Sequence, residues 1–146
     1  SSLALAGAAQ AELAYGITGT TFGTSLFSFD TAAPGAPTVI GALSGQLPNQ
    51  TIKAIDFRPS DGKLYALSTG NNNGQPGSAL SSAQLYTVDL ATAALTPVGS
   101  GITLSGTTTG RVSIDFNPVA NALRDVTTSG TNSRVNANTG ALIAQD

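Results

Sequence analysis

An all-β fold, built of short antiparallel strands in propeller-like blades, follows from three features of this sequence. Apolar residues alternate with polar ones in runs of four to eight, broken by clusters of Gly, Pro, Asn and Asp. No segment sustains a 3.6-residue apolar period, so little helix is expected. The strand pattern also repeats along the chain.

Taken in order, the predicted strands are Ala14–Thr18, Ser25–Asp30, Thr38–Leu43, Lys53–Arg58, Lys63–Thr69, Gln84–Leu90 and Leu95–Gly99. Val112–Asn117, Ala122–Thr127, Ser133–Asn136 and Ala141–Ala144 follow. Ser60-Asp61-Gly62 and Asn138-Thr139-Gly140 read as tight turns, with glycine supplying a positive φ. Gly99-Ser100-Gly101 and Gly106 read as turn glycines as well, and Gly70 to Ser82, with its Asn71-Asn72-Asn73-Gly74 run, reads as an exposed loop.

The repeat orders these strands. Ile55-Asp56-Phe57-Arg58-Pro59 recurs as Ile114-Asp115-Phe116-Asn117-Pro118, 59 positions later. The same displacement carries Leu26-Phe27-Ser28-Phe29-Asp30 onto Leu85-Tyr86-Thr87-Val88-Asp89, and Ser133-Arg134-Val135-Asn136 forms a third copy. One unit is therefore an Ile-Asp-Phe strand, a Leu-Tyr-x-Leu strand, a Leu-Tyr-x-Val-Asp strand and a closing strand, the make-up of a propeller blade. Alternation puts Ile55 and Phe57 on one face with Asp56 on the other, and Tyr86, Val88 and Leu90 on a common face. The domain reading is a partial blade over residues 12–51, a blade over 52–110 and a partial blade over 111–146. About two and a half to three blades fall short of the four to eight that close a propeller, so an open arrangement is expected.

These motifs resemble the bacterial domain-of-unknown-function family 4394 from about Leu13 to the C-terminus. The resemblance implies an exported, propeller-like repeat protein with no assigned activity and no catalytic residues to carry over. Asp125 stands where the family's repeat has an apolar residue, and Ser133 where it has an aromatic one.

Composition removes several function classes. The 146 residues hold no Cys, Met, Trp or His. That excludes thiol catalysis, disulfides, His-based metal sites and imidazole triads. Six Lys and Arg against eight Asp and Glu, scattered along the chain, argue against a nucleic-acid partner. Charged residues are only 10% of the chain, where a soluble domain has about a quarter. With plentiful Ser, Thr, Asn and Gly, this suits an exported protein at the cell surface or outside the cell. No apolar run approaches the roughly 20 residues of a membrane span.

Residues 1–11 end in Ala9-Gln10-Ala11, a small-x-small pattern. They read either as a signal-peptide remnant or as a donor-type strand in which Leu3 and Leu5 pair with a neighbour. Leu3, Leu5 and Leu13 are the candidate self-association residues. Carboxylates are the one acid–base class present, but Asp56 and Asp115 are repeat-equivalent, as are Asp30 and Asp89. Recurrence at blade-equivalent positions marks side chains that accept turn or backbone N–H bonds. The eight aromatics, Phe22 among them, read as core packing.

No catalytic, cofactor-binding or metal site is expected, and the ligand, if any, is unknown. The leading expectation is a non-enzymatic structural protein whose partners are copies of itself, joined by β-edge pairing in a filament or surface layer. The alternative is a monomeric cell-envelope binding module within a longer propeller. A hydrolase using Asp56 or Asp115 ranks third.

Overall fold

The computed structural model describes residues 12–20, 23–71, 80–105 and 111–145. Its eleven strands are β1 (Leu13–Thr20), β2 (Gly23–Asp30), β3 (Thr38–Ala42), β4 (Gln50–Phe57), β5 (Leu64–Asn71) and β6 (Leu80–Val88). Then come β7 (Leu95–Ser105), β8 (Val112–Asn117), β9 (Ala122–Thr127), β10 (Asn132–Asn136) and β11 (Leu142–Gln145). Each overlaps a predicted strand, and no helix occurs among the described residues.

The strands form three antiparallel meanders, β1-β2-β3, β4-β5-β6-β7 and β8-β9-β10-β11, none of them closed. The third carries four strands, a complete set by the count of the second. The first has three, and β1, the counterpart of the central strands β5 and β9, is its edge. The repeat survives in the ladders: Leu64 faces Val88 and Leu123 faces Val135, while Tyr65 faces Thr87 and Arg124 faces Arg134.

Two apolar layers hold the sheets together. Leu26, Tyr15 and Ile17 of the first sheet meet Ile52, Leu64, Ala66, Tyr86 and Val88 of the second. From the opposite side of the second sheet, Tyr65, Leu67, Ala83 and Leu85 meet Val112, Phe116, Leu123 and Val135 of the third. Each fully buried Leu here contributes roughly 1.5–3 kcal/mol. The central strands of the middle sheet are therefore covered on both faces, and every residue from Leu64 to Thr69 is buried. Tyr86, Val88 and Leu90 do share a layer. The period-two pattern fades in β5 because a sheet between two others has no solvent face.

Gly99 and Gly101 are not turn residues. They lie inside β7 at φ +73° and +92°, where the pairing with β6 shifts register between Ala83 and Leu85. The buried Gln84 fills this bulge, its Nε2 donating to the carbonyls of Leu85 (2.8 Å) and Val98 (2.9 Å). The bulge lets one sheet touch the next. A Cβ on Gly99 would collide with the Thr139 carbonyl, and one on Gly140 (φ +68°) with the Val98 carbonyl. The backbone of β7 thus runs directly against the β10–β11 turn, a close approach that glycine allows. Between the first two sheets, Ser44 and Ala94 form a parallel bridge in the corresponding place.

Candidate functional site

Of the carboxylates singled out by their recurrence, Asp30, Asp56 and Asp89 act as hydrogen-bond acceptors for the backbone, and Asn136 does the same at its equivalent place. Asp30 Oδ1 accepts the Ala32 N–H (2.7 Å), Asp89 Oδ1 those of Ala91 and Thr92 (2.9 and 2.8 Å) and Asn136 Oδ1 those of Asn138 and Thr139 (2.9 and 3.2 Å). Each closes an Asx turn at the end of its strand. The Thr92 side chain, with the two backbone N–H groups, holds the Asp89 carboxyl below its ordinary value.

Asp56 reaches across a sheet junction. Its Oδ2 accepts the N–H of Phe116 at 2.8 Å, tying β4 to β8. Asp115, its repeat counterpart, is exposed on the far face of the third sheet. The structure therefore separates the two carboxylates, one inside a junction and one outside it.

Beside Asp56 sits a polar cluster that sequence reasoning did not single out. The buried Arg58 donates from Nε to Asn121 Oδ1 (2.9 Å) and from Nη1 to Asp61 Oδ2 (3.1 Å) and the Tyr65 hydroxyl (3.2 Å). Tyr65 donates to Asp61 Oδ2 (2.9 Å), and its ring meets that of Phe116 edge-on at 5.2 Å. Burial opposes ionisation of Asp61, but the Lys63 N–H, the Tyr65 hydroxyl and Arg58 together hold its carboxyl below the ordinary value. Burial is also the main cause that raises the Tyr65 hydroxyl. The arginine in Ile-Asp-Phe-Arg-Pro was the available signal, since a cation set inside a strand motif needs partners.

Asp125 and Ser133 are directly opposite on β9 and β10, facing the second sheet, at 2% and 1% exposure. Among the described residues neither carboxylate oxygen of Asp125 nor Ser133 Oγ has a hydrogen-bond partner. They stand where the middle sheet has Ala66 and Tyr86. Tyr86 fills its place and its hydroxyl accepts the Leu47 N–H at 3.0 Å. In the third sheet a small serine sits there instead, and the longer Asp125 lies beside it. Burial pushes the Asp125 carboxyl up.

Among the described residues, three surfaces remain open. Leu13 is 61% exposed on β1, the edge strand of the first sheet. Beside that edge, between Ile17 and Gly19 of β1 and Gln50–Lys53 of β4, runs an open groove of about 420 Å³. Leu3 and Leu5, the other two predicted self-association residues, Phe22 and the expected turn residue Gly106 lie outside the described residues. So do residues 72–79 of the expected Gly70–Ser82 loop, whose ends Gly70-Asn71 and Ser81-Ser82 pair instead in the β5–β6 ladder.

The outer face of the first sheet is apolar. Phe27 and Phe29 stack with centroids 6.2 Å apart, and Val39, opposite Phe27 on β3, is 68% exposed. The outer face of the third sheet is polar. Asp115, Arg124 and Arg134 lie in one row across β8, β9 and β10 and line a depression of about 210 Å³. Among the described residues no salt bridge joins them, and no cluster of three His, Cys, Asp or Glu side chains is present. No helix of the described residues is long and apolar enough to cross a membrane.

A protein-family model described as "Domain of unknown function (DUF4394)" matches residues 25–146. No curated protein and no solved structure matches the chain.

Proposed function

Since the chain belongs to the DUF4394 family of unknown function, we propose from its own architecture that it is a non-enzymatic structural protein. On this reading it is exported and self-assembles by β-edge pairing into an extracellular filament or surface layer. The edge of β1, unpaired among the described residues, carries the reading. Its counterparts β5 and β9 each pair on that side with the first strand of their sheet, β4 and β8, and among the described residues β1 has no such partner. An unpaired row of N–H and C=O groups is a template for another strand. Leu13 on that strand is exposed, and the groove beside β4 gives an incoming strand a place to lie. No Lys or Arg occurs in β1, so the edge lacks the charges that commonly protect one.

The carboxylates support a structural role, because Asp30, Asp56 and Asp89 are engaged in holding backbone N–H groups. The test is a comparison of the full chain with a variant lacking residues 1–11, by light scattering and negative-stain microscopy. Assembly of the full chain that is lost on truncation supports donor-strand pairing by the segment holding Leu3 and Leu5. Assembly that survives truncation assigns the pairing to other strands. A strictly monomeric full chain favours the binding-module reading, in which further blades complete the stack.

A further inference from the structure

We propose that the outer face of the third sheet docks onto the outer face of the first sheet of a second copy, head to tail. This deepens the self-assembly reading and rests on it. The internal junctions define the geometry. The first sheet lies on the second, and the second on the third, always with the same pair of faces. A copy added at either end by the same operation brings Arg124 and Arg134 against Phe27, Phe29 and Val39.

The chemistry of the two faces selects a second copy over another blade of the same chain. At the internal junction the middle sheet presents Tyr65, Leu67 and Leu85. At the same ladder positions the third sheet presents Arg124, Val126 and Asn132. At these positions the internally covered face is apolar. A face of Asp115, two arginines, an asparagine and one valine is instead the composition of a subunit interface that also exists in water. Arginine is the cation suited to an aromatic platform, because its planar guanidinium stacks on a ring while remaining solvated at its edge. Phe27 and Phe29, stacked and partly exposed, supply that platform. The acidic Glu12, exposed beside it, adds the opposite charge. A contact between two different faces of one molecule is heterologous, so it propagates as a fibre or a ring rather than stopping at a dimer.

Val39→Lys and Val126→Lys test this, since both side chains are exposed, at 68% and 45%, and neither change disturbs the core. Each sets a strongly hydrated ammonium, which lacks the planar stacking of a guanidinium, into the contact and is expected to weaken assembly about tenfold or more, with melting curves unchanged. Mixed one to one, the two variants retain a single intact junction between them and are expected to give a heterodimer by sedimentation velocity. Wild-type assembly with both variants assembling equally well overturns the docking mode and leaves edge pairing standing. Variants that fail alone and stay monomeric when mixed also overturn it. A wild-type chain that is monomeric at every concentration overturns the self-assembly reading and this inference together.

Discussion

The Asp56 carboxylate accepts the Phe116 N–H at 2.8 Å across the junction of the second and third sheets, whereas Asp115, one repeat later, is exposed. The same side chain in the same strand position thus has two fates, decided by whether a sheet lies against it. Asp56→Ala should lower stability by about 1–3 kcal/mol, because it strands a backbone donor at the junction. Asp115→Ala should change it by less than about 0.5 kcal/mol. Urea unfolding of the two variants makes the comparison, and equal effects would show that the junction bond contributes nothing special.

Arg58 predicts a second asymmetry. Its guanidinium serves Asn121, Asp61 and Tyr65 at once, so Arg58→Lys cannot reproduce the fork. Arg58→Ala leaves Asn121, Asp61 and Tyr65 without their common donor and should cost about 1–3 kcal/mol; the lysine variant should recover less than half of that. Denaturant midpoints of the three proteins decide it, and a lysine variant as stable as wild type would mean that charge alone suffices.

Strand order and the 59-residue repeat were legible in the sequence because a period of two and a terminal Asp or Asn are local features. Asp30, Asp89 and Asn136 declare their turns through backbone groups two and three residues away. Contacts between sheets were not legible. Nothing near Arg58 in the chain points to Asn121, and nothing near Gly99 points to Gly140. Such pairs depend on how one sheet lies on the next. Asp125 was half legible: its place in the repeat marked it as unusual, but not that burial leaves it unpaired. The Arg124–Arg134 row emerged only once β9 and β10 were in register.

The close approach of Gly99 to Gly140 yields a third prediction. Each has a positive φ, and a Cβ on either would meet carbonyl backbone of the other sheet. Gly99→Ala and Gly140→Ala should each destabilise by more than about 1 kcal/mol, while Gly19→Ala, in β1 with nothing within 4 Å of its Cβ position, should be neutral or slightly stabilising. Thermal melts of the three variants test the ranking. A Gly99→Ala protein that melts with wild type would remove the glycine contact from the account.

Asp125 makes a pH prediction. Its carboxyl is raised in the folded chain by burial. The folded state therefore holds its proton more tightly than the unfolded state, so its contribution is fully present below the unfolded value near 3.8 and is lost as pH rises through the raised value. Asp125→Ala, which restores the residue found at position 66, should stabilise the protein by about 1–3 kcal/mol at pH 7. That gain should shrink as the pH falls through the raised value and the wild-type carboxyl takes up its proton. A gain that does not change with pH would contradict the assignment. Asp61 and Asp89, held below their ordinary values, act in the opposite sense and lose their contributions on acidification.

The edge of β1, unpaired among the described residues, and the two unlike outer faces lead to one central claim, that copies of this chain join end to end. Sedimentation velocity of the full chain over a thousandfold range of concentration tests it most directly. Head-to-tail joining predicts a weight-average mass that climbs well above 14.5 kDa with no plateau at the dimer. A single species of monomer mass across the whole range would contradict it.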